Sequence, residues 1–399
     1  MHLLLIHQNF PGQFRDLAPL WLAAGHQVRA IGSEQEPPCG EAWAGLIYHR
    51  YHFANRDEPS LKERAAGVAL LCRQLRESGV RPDLVLAHSA WGEALQLRRI
   101  WGASMPIVVY PELWGHRRAL GFGFDDALNG MSPVGDGFSR QNLLADLALA
   151  QADAAVVASR SQLASFPAPL RPQLTLLPEG VDLERIKPDR QARLSLPEHG
   201  LELETGQPLV TLISRNLEPL RGLRQALRAW PLVRQQLPEA QLLLVGKQGQ
   251  GYGVEPPRGD SHLKDALESM ECGGINVLNW LPHSQMLQLL CCSGCHLALS
   301  YPYTLSWSVL EAMACGAPLI TNIGSPIAAD LEHNKDALLV PFNDVDALAQ
   351  AVLALLREPK RAQQLGDQAR ESMQRLFNLK AAVRAYEELF GGLIGPKKP

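Results

Sequence analysis

Short apolar runs alternate with longer stretches of helical periodicity along most of the chain. Leu3–Ile6 is an unbroken apolar run and predicts a strand. Gln8–Gln13, with Pro11 and Gly12, predicts a loop; Phe14–Ala24 is amphipathic at helical spacing, and Val28–Ile31 is the next strand. Together they make one βαβ unit. Further strands are expected at Leu84–Ala87, Ile107–Tyr110 and Ala154–Ala158, with helical stretches between them. The pattern breaks into a turn at Pro178-Glu179-Gly180-Val181-Asp182. Lys187–Glu204, polar and proline-bearing, predicts a linker. A second unit then starts, with a strand at Leu209–Ile213, a loop at Ser214–Gly222, a helix at Leu223–Gln236 and a strand at Gln241–Val245.

Both halves thus share one layout of strand, glycine-bearing loop, helix and strand. This is the α/β class, with two doubly wound Rossmann-like domains facing a central cleft. The expected boundaries are 1–185 for an N-terminal domain and 205–375 for a C-terminal domain. Ala381–Phe390 is amphipathic, and a helix over about 376–399 is expected to pack back on the first domain. Gly123–Gly137 and Lys247–Gly259 are glycine-rich and suit loops over a ligand. Neither half holds the G-x-G-x-x-G fingerprint, which disfavours a nicotinamide enzyme.

Composition narrows the class. With 399 residues, two or three domains are expected, and 46% apolar against 20% charged residues excludes a disordered chain. A net charge of −3 speaks against a nucleic-acid partner. No apolar run reaches a membrane-spanning length, and Met1–His7 is not a signal peptide, so a cytoplasmic protein is expected. Arg98-Arg99 and Arg117-Arg118 are the pairs available for peripheral contact with acidic lipid, against the commoner reading as solvated arginines. The seven cysteines, Cys39, Cys72, Cys272, Cys291, Cys292, Cys295 and Cys315, are expected as reduced thiols. Cys292-Ser293-Gly294-Cys295-His296 matches a haem-attachment string, but its apolar flanks predict buried structural cysteines with neither haem nor zinc.

The candidate chemistry lies mainly in the second half. Ser214–Gly222 places Arg215 and Arg221 after a strand and beside a helix start, and two guanidinium forks there suit a diphosphate. The competing reading is a solvated loop with ordinary surface arginines. In Ser300–Gly316, Ser306 or Ser308 is expected to cap a helix that Gly316 ends after about two and a half turns. Amides at that start favour an anion, and Glu311 further along can accept bonds from hydroxyls unless it is simply solvated. Asp125-Asp126 imitates an Asp-x-Asp metal motif weakly and is read as a loop charge pair.

At these residues the chain resembles the family 4 glycosyltransferases of GT-B fold. The likeness is strongest to a bacterial subgroup that begins His7-Gln8-Asn9-Phe10-Pro11-Gly12-Gln13-Phe14-Arg15 and carries Arg215-Asn216-Leu217-Glu218-Pro219. Leu305-Ser306-Trp307-Ser308 before Leu310-Glu311-Ala312-Met313, His88-Ser89-Ala90-Trp91-Gly92-Glu93 and Glu179-Gly180-Val181-Asp182 complete the set in order. The resemblance implies that Arg215 and Arg221 hold the donor diphosphate, Arg221 standing for the family's lysine. Glu311 matches the second glutamate of the family's Glu-x7-Glu and implies a ribose contact, while Tyr303 stands where the first glutamate meets the donor sugar. Ser306, Trp307 and Ser308 fall where amides approach the sugar and phosphate. Gly12 falls near the diphosphate, and His88 near the sugar, unless it is a strand-end histidine satisfied by backbone.

By resemblance, the expected reaction is retaining sugar transfer from a nucleotide-sugar to an acceptor hydroxyl of a glycan, polysaccharide or glycolipid. No metal or other cofactor is implied. Two alternatives stay open: a GT-B sugar-nucleotide epimerase or phosphorylase, and a non-catalytic GT-B protein that binds a nucleotide-sugar.

Overall fold

The computed structural model describes residues 1–33, 36–52, 60–131, 137–249, 251, 261–267 and 273–395. They group into two compact units: Met1–Gly115, Gly135–Asp182 and Phe377–Pro399 in one, and His116–Val134 with Leu183–Leu376 in the other. The segment 116–134 therefore leaves the first unit, where chain order alone places it. Cys272, residues 132–136 of the first glycine-rich stretch, and 250 and 252–259 of the second lie outside the described residues.

The first unit is built on a seven-stranded sheet of β1 His2–Ile6, β2 Gln27–Gly32, β3 Ile47–Arg50, β4 Leu84–His88, β5 Ile107–Tyr110, β6 Ala154–Val157 and β7 Leu174–Leu176. Its order is β3-β2-β1-β4-β5-β6-β7, and every pair is parallel. Parallel strands covered on both faces read as continuous apolar runs, and Leu3, Leu4, Leu5 and Ile6 are all fully buried. The C-terminal helix Leu379–Ile394 belongs to this unit, with the rings of Tyr386 and Phe390 5.8 and 5.6 Å from Trp21. Gly180, at φ +79°, lets the chain approach that helix, because a Cβ there would sit 2.6 Å from the Leu379 Cα.

The second unit opens with an antiparallel hairpin of β8 Arg193–Leu196 and β9 Leu201–Glu204. This corrects the expected linker. Leu194, Leu196, Leu201 and Leu203 are buried while the residues between them are exposed, the alternation of a half-buried ribbon. Its main sheet has six parallel strands, β10 Leu209–Asn216, β11 Gln241–Lys247, β12 Ile275–Leu278, β13 Cys295–Leu297, β14 Leu319–Asn322 and β15 Leu338–Val340. The order is β12-β11-β10-β13-β14-β15. Ser214, Arg215 and Asn216, expected in a loop, continue β10 beyond a register shift after Ile213. Helix Leu223–Gln236 buries Leu223, Ala226, Leu227, Trp230 and Val233, one stripe at helical spacing.

Counted within each unit, both sheets begin 3-2-1-4-5-6. The strand order reverses between β1 and β4 in the first and between β10 and β13 in the second, and ligands of doubly wound sheets bind at the carboxyl ends of such strands.

Segment 116–134 is tied into the second unit by Asp125. This carboxylate is buried and accepts the Tyr301 hydroxyl at 2.6 Å, an Arg224 Nη1 bond at 3.0 Å and the Ala127 N–H at 2.9 Å. Asp125 is thus a structural anchor rather than half of a loop charge pair. The haem-like string is likewise internal. Cys292 ends helix His283–Cys292, Cys295 and His296 lie on β13, and burial pushes the Cys292 thiol up to about 12 and the His296 imidazole down to about 4. Among the described residues, no cluster of three or more His, Cys, Asp or Glu is placed to hold a metal.

Candidate functional site

At the switch point of the second unit, the ends of β10 and β13 open a pocket lined by Ile213, Arg221, Ser300, Leu305, Ser306 and Ser308, among others. Arg221 closes the short turn Pro219–Arg221 and precedes Gly222, whose φ of +72° starts helix Leu223–Gln236. Its Nη1 donates to Ser300 Oγ at 3.1 Å and to the Thr304 carbonyl at 3.3 Å, which pins the guanidinium in the pocket wall. Arg215 is placed differently. It sits at the exposed end of β10, outside the pocket lining.

Ser306 occupies the N-cap position of helix Trp307–Ala314 in extended backbone, but its side chain makes no capping bond. The expected serine cap is therefore absent. The Ser306 hydroxyl instead lies 2.8 Å from Ser308 Oγ, and Ser308 donates to the Ile213 carbonyl at 3.0 Å. No N-cap side chain takes up the first-turn amides, and the cationic Arg221 lines the same pocket, which suits an anion. Trp307, the first residue of the helix, is half-buried. Tyr303 packs its ring against the apolar core of the unit.

Glu311 is not a solvated carboxylate. It is 3% exposed, and its Oε1 lies 3.0 Å from Nε2 of His283, the first residue of helix His283–Cys292. His283 was not legible as a partner, because 28 residues separate the two. The pairing orients the carboxylate, and a carboxylate so held can also accept hydroxyls.

At the switch point of the first unit stand His7 and His88, with ring centroids 4.6 Å apart. His7 Nδ1 accepts the Asn9 N–H at 3.0 Å, so its proton is on Nε2, which meets Gln13 Oε1 at 2.5 Å. Burial, then the neighbouring His88, hold His7 well below the ordinary imidazole range. Gly12 takes φ +46°, and a Cβ there would lie 2.3 Å from the His7 ring. Only glycine fits. His88 ends β4, stacks on Tyr110 at 5.6 Å, and is 2% exposed, yet neither ring nitrogen has a hydrogen-bond partner. The reading of a histidine satisfied by backbone is overturned. Glu112 Oε2 is 3.6 Å from Nε2, on a residue whose φ of +63° is rare for a side chain of this size. Tyr110 in turn donates to Glu179 Oε1 at 2.8 Å.

Of the paired arginines, Arg98 is spent on structure. It bonds Asp153 Oδ2 at 2.6 Å and the carbonyls of Gln151 and Met105, each at 2.8 Å. Arg118 lies 5.5 Å from the centre of the Phe124 ring. No helix among the described residues is long and apolar enough to cross a membrane.

Two doubly wound domains, each with polar side chains gathered at its switch point, define the GT-B class of fold. Residues 25–186 match the model of the glycosyl transferase family 4 group, and residues 207–358 match that of glycosyl transferases group 1. By these two matches the chain carries both glycosyltransferase segments, in that order, on a GT-B fold.

A GDP-mannose-dependent alpha-(1-6)-phosphatidylinositol monomannoside mannosyltransferase of Mycolicibacterium smegmatis is 31% identical over 220 residues, 54% of this chain and 56% of the relative. The chain thus spans about half the length of the curated relatives it matches. Among solved structures, sucrose-phosphate synthase from Thermosynechococcus elongatus aligns with a TM-score of 0.76 at 20% identity, covering 98% of this chain and 99% of that one. HepE of Anabaena, in complex with UDP and glucose, aligns with a TM-score of 0.68 at 17% identity, covering 98% and 100%. At these identities the likeness is one of fold.

Proposed function

We propose that the protein is a retaining glycosyltransferase that moves a sugar from a nucleotide-sugar donor to an acceptor hydroxyl of a glycan, polysaccharide or glycolipid. The observation that carries this reading is the second-domain pocket. There a pinned guanidinium, Arg221, and the uncapped start of helix Trp307–Ala314 converge, with buried Glu311 one turn further along.

In this reading Arg221 and the helix amides meet the diphosphate, with Arg215 adding charge from the strand end, and Glu311 accepts the ribose hydroxyls. The bond between the anomeric carbon and the diphosphate oxygen breaks, and positive charge develops on the sugar ring. The acceptor oxygen bonds to the anomeric carbon on the same face, and its proton passes to the leaving phosphate oxygen. The developing negative charge is met by fixed donors, so no metal is required in this scheme. In the first domain, His88 is offered to a sugar hydroxyl, and Gly12 leaves room for backbone beside His7. Tyr303 replaces a carboxylate with an aromatic face and one phenol, which changes the sugar preference and leaves the transfer chemistry in place.

The test begins with a thermal-shift screen of UDP-, GDP- and ADP-sugars, since a ligand of the folded state raises its stability. The donor that stabilises is then incubated with cell-extract glycans, and product anomers are read by NMR. Retention supports the mechanism. Inversion rejects it; nucleotide binding without transfer for every donor points to the non-catalytic alternative, and donor consumption without an acceptor to an epimerase.

A further inference from the structure

Among the described residues, eight buried side-chain nitrogen or oxygen atoms lack a hydrogen-bond partner. Four of them fall within six consecutive residues that start at the last residue of β4: both ring nitrogens of His88, Ser89 Oγ and Glu93 Oε2. Buried polar atoms are nearly always paired, and an unpaired carboxylate oxygen is among the costliest to leave so. A concentration of this kind is tolerated where a ligand completes the bonding.

The surroundings are fixed by other bonds. Glu93 is 1% exposed, and its second oxygen, Oε1, accepts the Tyr51 hydroxyl at 3.1 Å. Arg64 Nη1 is 3.9 Å from that same Oε1, but its short bond, 2.6 Å, goes to Gln8 Oε1, and its guanidinium carbon lies 6.0 Å from the Trp91 ring. The turn that carries Ser89 and Glu93 is closed by Gly92, whose φ is +103° and whose Cβ position would be 3.1 Å from the Leu61 carbonyl oxygen. His88 is among the groups near enough to act electrostatically on the Glu93 carboxyl.

The unpaired set decides the ligand's chemistry. Glu93 Oε2 accepts, or donates when protonated; one His88 nitrogen accepts and the other donates, and Ser89 Oγ does both. A phosphate or carboxylate offers only acceptors and negative charge to a site that holds a buried carboxyl. An ammonium offers only donors. Vicinal hydroxyls of a neutral polyol offer a donor and an acceptor at each oxygen, and so match the whole set.

We propose that Ser89 and Glu93, with His88, form a binding site for the vicinal hydroxyls of a neutral polyol, a sugar or cyclitol ring that serves as the acceptor. The role of acceptor rests on the transferase reading; the polyol site does not. Burial raises the Glu93 carboxyl above the usual carboxylate range, which favours its protonated, hydrogen-bond-donating form toward such a ring.

The experiment titrates the full-length protein with myo-inositol, methyl α-mannoside and myo-inositol 1-phosphate by saturation-transfer NMR, with no nucleotide present. Wild type is expected to bind a neutral polyol, with Glu93→Gln and Ser89→Ala each weakening it at least tenfold. Leu70→Ala, an exposed position on helix Leu61–Glu77, is expected to match wild type. Thermal melts run in parallel; should Glu93→Gln fail to fold, Ser89→Ala alone decides. Unchanged polyol affinity in a folded Ser89→Ala or Glu93→Gln protein overturns the site, as does wild type that binds no polyol or prefers the phosphorylated one. Because no donor takes part, a protein that binds polyol yet no nucleotide-sugar refutes the transferase reading alone.

Discussion

His7 and His88 stand with ring centroids 4.6 Å apart, and only His7 has hydrogen-bond partners for both of its nitrogens. Burial, then the neighbouring His88, hold His7 well below the ordinary imidazole range, and it is hydrogen-bonded on both sides. His88 is left with neither ring nitrogen hydrogen-bonded.

Replacing His88 by Phe should therefore keep the stack on Tyr110 while removing two unpaired nitrogens. The melting temperature is expected to hold or rise, because deleting unsatisfied polar atoms relieves their desolvation cost. The kcat/KM for transfer should fall roughly tenfold, about one net hydrogen bond. A variant with wild-type kcat/KM would remove His88 from the site.

Arg221→Ala should weaken nucleoside-diphosphate binding by roughly 1.5–3 kcal/mol, the range for hydrogen bonds to a charged group. Arg215 stands at the exposed strand end, so Arg215→Ala should cost less, about 1 kcal/mol or below. Calorimetry with UDP and GDP ranks the two; equal losses would place Arg215 beside Arg221 on the phosphates.

His296 gives a pH dependence of known sign. Burial holds it down to about 4, against the ordinary 6.5 of an unfolded chain. Below pH 6.5 the unfolded chain takes up a proton that the folded one refuses until about pH 4. Stability is thus lost as the pH falls across that window, by roughly 3 kcal/mol from this residue. Above pH 6.5 it contributes nothing. Urea unfolding between pH 4.5 and 7 should show the slope, and His296→Gln should flatten it; a variant as steep as wild type would assign the loss elsewhere.

Asp125→Ala should destabilise the second domain by about 3–5 kcal/mol, since it strands Arg224 and the Tyr301 hydroxyl in partly buried surroundings. Tyr301→Phe removes one bond to the same carboxylate and should cost about 1–3 kcal/mol. Denaturant titration of the pair checks the order, and similar small losses in both would show Asp125 to be dispensable.

Much of the scaffold was legible because its signals are local. Leu3–Ile6 reads as a strand since both faces of the sheet are covered, and Leu223–Gln236 reads as a helix since one stripe of it is apolar. The hairpin β8–β9 was hidden by its own exposed face: Arg193, Ser195, Glu202 and Glu204 make it look like polar linker, although the leucines between them alternate at strand spacing. The site was legible only in part. Arg221 and Glu311 stood out by residue type and by resemblance. The bonds that hold them come from Ser300 and His283, and Asp125 meets Tyr301 across 176 residues of chain. Such pairings depend on which strand ends the topology brings together, and spacing along the chain carries no trace of them. Glu93 stands out only as the last residue of His88–Glu93, and nothing in its neighbours' identity announces that one of its oxygens is buried without a partner.

The excursion of residues 116–134 into the second unit, and the return of 377–395 to the first, mean that the backbone passes between the two units at 115/116, 134/135, 182/183 and 376/377. Neither unit is one continuous stretch of polypeptide. A fragment cut at the apparent midpoint would strip Trp21 of the Tyr386 and Phe390 rings, and would deprive Tyr301 and Arg224 of Asp125. Exchanging one unit for that of a relative therefore has to transplant three segments for the first unit or two for the second.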